Sequence, residues 1–399
     1  MRPVTLPLWA LLGLGLAVAA LDWQQRSPVL SAPQAIWPAG AQAVQALQVQ
    51  ARGSIPMPAN TPAAHASSLV AMPADSPAVL MAFWFAGERE SAADVQIASS
   101  WLSRSSGQWQ AARFVANREL LGLQLGHGLR RLGNPVAWRD AQGRMHLFVV
   151  ATGLGGWAAG RVLHLRQVAQ ADPQNLQFEP LRVLPLSWLW NTSHLVRTAP
   201  LPLQDGGMLL PLYFELGIKY AMAARFGPQG DFIGLQRISG HDGWLQPSVL
   251  MLSATQWLAL MRDHSSAHQL AAARTGNAGQ DWHDLPALDL DNPDASIAAI
   301  GLRPGLAVMA HNPSASGRES LRLSASSDGL HWAAIAVLAR SSSASAASNM
   351  IANQVVVSPA PVGPDEFSYP ALAWADGKLW VSYTEQRQRI AWVSLGPTP

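Results

Sequence analysis

Ionisable and amide side chains recur in this chain at matched places beside short apolar runs. His65 precedes one run, and Glu88, Arg89 and Glu90 follow its partner. Asn134 with Thr152, Asn191 and His194 with Glu215, and Gln246 with Arg262 and Asp263 stand in the same relation. So do Asn292 and Asp294 with His311 and Asn312, and Glu366 and Tyr369 with Glu385 and Arg387. Carboxylates beside imidazole and phenol groups suit proton transfer, and arginines suit two-point recognition of a planar anion. Other chemistries fall away. The chain holds no cysteine, which excludes thiolate catalysis, Cys-ligated metal and a disulfide framework. His264 and His268 stand four apart, but the intervening Ser-Ser-Ala reads as a polar loop, so no metal is expected. Gly153-Leu154-Gly155-Gly156-Trp157 lacks the Lys and Ser/Thr of a phosphate loop. It reads as a flexible loop with Trp157 available to stack on a sugar. No nucleophile elbow, zinc-protease helix or dinucleotide fingerprint occurs, and no cofactor is expected.

The elements that must position these groups are six hairpins. Their first strands open at His65, Asn134, His194, Gln246, Asp294 and Ser368, and their turns carry Asp, Gly or Ser, as in 140–143, 205–207 and 376–377. The second strands are apolar, as in 79–85, 145–150, 208–214, 257–261, 306–309 and 379–383. Six copies over the stretch after residue 64 give about 56 residues per unit, enough for two more strands each. That spacing predicts an all-β, six-bladed propeller over residues 61–397. In an antiparallel hairpin the start of the first strand and the end of the second share one edge. The polar residues above therefore gather at one mouth of the central channel. The last unit, with strands near 367–375, 378–385 and 389–395, is one strand short. An alternating segment near 44–52, inside an otherwise Pro- and Ala-rich linker (27–60), is expected to fill it and close the ring. The Ser/Ala run at 341–348 reads as a surface loop.

Composition sets the remaining bounds. Hydrophobic residues make up 49% and charged residues 13% of the 399 residues, so a large buried core is expected. Lys+Arg 27 against Asp+Glu 25 leaves +2 with no basic block, so no nucleic-acid partner is expected. Leu6 to Leu21 is apolar, follows Arg2, and offers Ala17-Val18-Ala19 as a cleavage site. Residues 1–26 read as a signal peptide or an uncleaved membrane anchor, with the rest exported to the periplasm or held outside the inner membrane. A monomer is expected. The 17 tryptophans are mostly assigned to blade packing. Trp109, Trp282 and Trp332 close turn-rich segments, and Phe178 is a weaker equivalent.

With these motifs in order, the chain resembles the sialidase (neuraminidase) superfamily over about residues 60–395. The carrying segments are Phe85-Ala86-Gly87-Glu88-Arg89, Gln246-Pro247-Ser248, Asn292-Pro293-Asp294-Ala295-Ser296 and Glu366 to Leu372. Thr275 to Trp282 resembles the family's Asp-box with Asn277 for Asp, and Ser326 to Trp332 is a more degenerate copy. The resemblance implies a glycosidase working on a terminal acidic sugar with retention, through a Tyr nucleophile helped by a Glu. An anionic nucleophile would be repelled by the carboxylate on the anomeric carbon. Tyr369 then stands at the nucleophile position, with Glu215 or Glu366 to polarise it and Glu90 or Asp94 as acid/base. Arg89, Arg262, His65, Asn134, Gln246, Asp294 and Arg387 would line the sugar, with Arg389 a further candidate. The family clamps the substrate carboxylate with three arginines, and the first-blade position here reads His65-Ala66-Ser67 instead. Two other classes stay open. One is an acidic-polysaccharide lyase in which Tyr369 or His65 abstracts a proton, and the other is a propeller that only binds glycan.

Overall fold

The computed structural model describes residues 7–25, 33–154, 156–168, 173–341 and 366–397. Six antiparallel sheets follow one another along the chain: four have four strands, one has five, and the sixth is completed from the N-terminal side. Blade 1 runs from the inner strand Ala63–Ala71 through Ala78–Gly87 and Gln96–Ser103 to Arg113–Ala116. Blades 2 to 5 open with inner strands Arg131–Arg139, His194–Val196, Trp244–Met251 and Ala298–Arg303. Blade 6 comprises Phe367–Ala375, Lys378–Glu385 and Arg389–Pro397, and Leu47–Ser54 pairs antiparallel with its last strand, Leu47 opposite Pro397 and Ser54 opposite Ala391. First and last parts of the chain thus share one sheet, and Leu47–Ser54 covers the edge that Arg389–Pro397 would otherwise expose. The inner strands pack against one another around the ring. The chain is a six-bladed, all-β propeller.

The apolar residues explain why. Among the described residues they form six clusters, each between two neighbouring blades. A blade is therefore buried on both faces, and its central strand is apolar without alternation. All ten residues of Ala78–Gly87 and all eight of Met145–Thr152 are buried. Trp84 and Trp257 are fully buried in this way. The two Asp-box-like turns hold themselves by side-chain acceptors. Asn277 Oδ1 accepts from Asp281 N at 2.9 Å, and Asp328 Oδ1 accepts from Leu330 N at 2.8 Å and His331 N at 2.9 Å. These turns seat Trp282 and Trp332 against the adjoining clusters.

The N-terminal helix Leu8–Gln25 leaves Leu8, Leu12 and Leu16 exposed, and no described helix is long and apolar enough to cross a membrane. From residue 342 on, the expected Ser/Ala surface loop lies outside the described residues, and Ser341 itself is buried.

Candidate functional site

Each inner strand enters the channel through a local irregularity at its mouth end. Register slips occur between His65 and Ser68, Leu132 and Pro135, Leu245 and Ser248, and Ser368 and Ala371. Ala66, Ser193, Gln246, Asp294 and Tyr369 take positive φ values of 57°, 64°, 52°, 50° and 53° at corresponding places. Bulges of this kind re-aim side chains. Gln246 and Tyr369 also each precede a proline, which disfavours helical backbone in the preceding residue. Such residues cost about 1–3 kcal/mol each and persist where the surroundings over-determine them.

Tyr369 is held from two sides. Its ring centroid lies 4.1 Å from that of His65, and the Arg197 guanidinium sits 4.9 Å over its face. Arg197 comes from blade 3, directly after the strand His194–Val196. It donates to the carbonyls of Ser67 (3.2 Å, blade 1) and Pro370 (2.8 Å, blade 6), so it crosses the channel and floors the mouth. It is 2% exposed, and among the described residues no carboxylate pairs with it. Burial lowers its pKa to about 10, against the partial opposition of Tyr369 and Tyr213. A cation kept this deep without a counter-ion is costly, and its cation–π contact with Tyr369 is part of the compensation.

The other mouth arginines are paired. Arg262 lies 3.0 Å from Asp294, whose second oxygen meets His264 Nδ1 at 2.7 Å. Burial alone would lower Arg262, but the charges of Tyr369, Asp294, Tyr213 and Glu215 outweigh it and raise its pKa. Arg318 donates to Glu366 (3.2 Å) and to the Asp294 carbonyl (3.1 Å). Arg387 grips Glu366 through two nitrogens at 2.9 and 3.2 Å and also pairs with Glu90. Burial works to raise the Glu366 carboxyl, yet its bonds to Arg387 and Ser368 and the charges of Arg387 and Arg318 bring it below its ordinary value. His65 goes well below its ordinary value through burial first, then through Arg387, Arg197 and Arg318, so it is neutral. Its Nδ1 is buried without a hydrogen-bond partner. Gln246 donates to the Tyr213 hydroxyl at 3.3 Å while its Oε1 is buried and unpartnered. Burial, followed by Glu215 and Tyr369, pushes Tyr213 strongly upward. Glu215 is half-buried, and among the described residues no ion pair occupies its carboxylate.

These contacts bring His65, Tyr369, Gln246, Arg262, Asp294, Glu215, Glu366, Arg387 and Glu90 to one mouth. Others among the sequence candidates are engaged elsewhere. Asn134 donates to the Val196 carbonyl at 3.0 Å and ties blade 2 to blade 3. Asp94 is exposed and accepts from Glu88 N at 2.7 Å, closing its own loop. Arg389 pairs with the buried Glu385 at 2.6 Å. Arg89 is exposed at the rim. Glu366 is fully engaged by Arg318, Arg387 and Ser368, which fits anchoring of arginines better than polarising Tyr369. Sequence reasoning missed Arg197, Arg318 and Tyr213. Arg318 lies well beyond the second strand of blade 5, Leu306–His311, whereas Arg387 directly follows that of blade 6, Lys378–Glu385, so spacing gave no signal for it. Trp157 does not stand free: its Nε1 donates to Ser91 Oγ at 3.1 Å and its ring lies against Gly133.

The arrangement resembles known proteins at two levels. A model of the BNR repeat-like domain matches residues 78–381. In fold, the chain is similar to the Hadza microbial sialidase Hz136, with TM-score 0.62 and 14% identity, covering 83% of this chain and 65% of that one. It is also similar to Trypanosoma rangeli sialidase, with TM-score 0.62, 11% identity and coverage of 86% and 57%. A Dyadobacter fermentans protein of unknown function gives TM-score 0.63 at 11% identity and is covered whole, with 89% of this chain. The chain thus spans less than two thirds of the length of either sialidase. No curated protein matches it in sequence.

Proposed function

From a chain that belongs to the BNR repeat-like domain family, with a sialidase-like propeller, we propose a glycoside hydrolase that removes a terminal acidic sugar outside the cytoplasm. The observation that carries this reading is the placement of Tyr369 between His65 at 4.1 Å and the Arg197 guanidinium at 4.9 Å, beside the linked network of Arg262, Asp294, Arg318, Glu366 and Arg387. A phenol and several guanidinia thus stand at one mouth, with Glu215 two residues beyond Tyr213 on the blade 3 side. In the proposed sequence the Tyr369 oxygen attacks the anomeric carbon while Glu215 takes its proton. Glu90, on the blade 1 loop tied to Arg387, protonates the departing oxygen. Water then attacks the glycosyl-tyrosine, giving up its proton to Glu90, and the phenol recovers its own from Glu215. Two displacements give retention. Arg262 and Arg318 hold the sugar carboxylate, with Asp294 and Glu366 fixing their orientation. The position of a third clamp arginine holds His65, neutral and buried, so the clamp is smaller in charge than the resemblance implies. No metal or cofactor is needed for these steps. For export, the apolar helix Leu8–Gln25 serves as leader or anchor.

A neutral imidazole packed on a tyrosine also suits proton abstraction α to a carboxylate, which supports a lyase as the second reading. The test is digestion of chromogenic acidic glycosides and acidic polysaccharides by the purified chain. New reducing ends with retained anomeric configuration support the hydrolase. An unsaturated uronate absorbing in the ultraviolet replaces it with the lyase, and turnover of nothing, with binding intact, leaves a glycan-binding propeller.

A further inference from the structure

A cavity of about 400 Å³ lies beside the mouth, between the loop that follows the second strand of blade 1 and the start of blade 2. Arg89, Arg130 and Arg131 line it together with Glu88, Ser91 and Asp94. Its volume falls within the range of small-ligand sites. Unlike Arg262, Arg318 and Arg387, these three enter no ion pair among the described residues, so three arginines stand beside two carboxylates and the wall is net cationic. One of those carboxylates, Asp94, is already engaged by the Glu88 backbone N–H at 2.7 Å. The frame is rigid. Arg130 N donates to the Thr152 carbonyl at 2.8 Å, and Arg131 pairs with Thr152 in the blade 2 sheet. Trp157 pins the opposing loop through Ser91. The cavity also adjoins the site, because Arg89 lines the narrow cleft that holds His65, Glu90 and Arg387 as well.

We infer that this cavity is the subsite for the leaving group, and that it takes a second anionic sugar next to the one removed. Resting on the hydrolase reading, it narrows the substrate to a glycan with adjacent negative charges, a uronate or a sulfated sugar being the shared chemistry. Guanidinia without counter-ions bind such oxygens through paired, charge-assisted hydrogen bonds, whereas a neutral hexose offers them nothing comparable. The probes are three disaccharides that join a terminal sialic acid to galactose, to galactose 6-sulfate or to glucuronic acid. Their Kd is measured by calorimetry on the full chain carrying Tyr369→Phe, with and without Arg130→Gln/Arg131→Gln. Arg130→Gln alone, at an exposed position, repeats the measurement if the double variant is poorly folded. The expected result is binding of both anionic forms at least tenfold tighter than the galactose form. That preference should fall to about twofold in the double variant and shrink as salt is raised. The sulfate and glucuronate arms tell which anion fits better. Equal Kd for all three, binding of none, or a preference that survives the variants overturns the proposal. Turnover is followed separately on the unsubstituted chain. Hydrolysis without anion preference sinks the subsite alone, and anion preference without hydrolysis sinks the hydrolase alone.

Discussion

Replacing Tyr369 with Phe separates chemistry from packing more cleanly than other changes at the mouth. The substitution keeps the ring, and with it the 4.1 Å contact to His65 and the 4.9 Å approach of Arg197. Among the described residues no hydrogen bond to the phenolic oxygen holds the fold, so its removal leaves no protein group unsatisfied. The cost to stability should stay within about 0.5 kcal/mol, as for a side chain whose deleted atom has no buried partner. In a protein of 399 residues that is a Tm shift of less than about 1 °C. The same oxygen forms the new bond in the proposed first displacement. Its loss should lower kcat by at least about 10³-fold, equivalent to about 4 kcal/mol of barrier. Thermal unfolding and steady-state kinetics on an activated acidic glycoside measure the two effects side by side. A fall in Tm that parallels the fall in kcat would make Tyr369 a packing residue. An unchanged kcat would refute its role as nucleophile.

Other outcomes follow from the same contacts. Burial depresses His65, His146, His164 (to about 2) and His311 (to about 4) below the 6.5 of the unfolded chain. Below pH 6.5 the unfolded state takes up protons that the folded state refuses, so stability is full above that value and declines as pH falls toward the folded values. The His311 share is about 3 kcal/mol, and in His311→Gln the slope of Tm against pH between about 6.5 and 4 should flatten. At Gly133 a Cβ would lie 2.6 Å from the Trp157 ring. Gly133→Ala should therefore cost about 1–3 kcal/mol, measured by denaturant unfolding, and add little once Trp157→Ala has removed the ring. Removing residues 1–54 bares the edge of Arg389–Pro397, which should lower Tm and promote self-association in size-exclusion chromatography. Removing 1–32 should do neither.

The blades were readable because turns such as Asp140–Gly143 and Asp376-Gly377 separate runs too apolar for a sheet with one wet face. Every residue of Ala78–Gly87 is buried, as a strand sandwiched between two blades must be. The mouth was partly readable because hairpin geometry carries strand starts and strand ends to one edge, which is how His65, Arg262, Asp294 and Tyr369 come together. Arg89 is placed by a loop rather than by a strand, so it stays exposed at the rim, where it lines the cleft shared with His65, Glu90 and Arg387. Arg197 was hidden because its partners Ser67 and Pro370 lie 130 and 173 positions away, and only ring closure brings them near. The positive φ at Tyr369 ran against local signals, since the following proline disfavours it. Arg318 sits in a Ser- and Gly-rich stretch whose composition suggests solvent, while its guanidinium bonds Glu366 and the Asp294 carbonyl.

In the proposed reaction the phenol of Tyr369 bonds to the anomeric carbon of an acidic sugar. Incubating the chain with a fluorinated acidic glycosyl fluoride, which slows the second displacement, followed by intact mass and peptide mapping, tests it. One added glycosyl group is expected, located on the peptide containing Tyr369 and absent from Tyr369→Phe. A label on any other residue, or steady turnover of a substrate by a protein that never acquires the label, would contradict it.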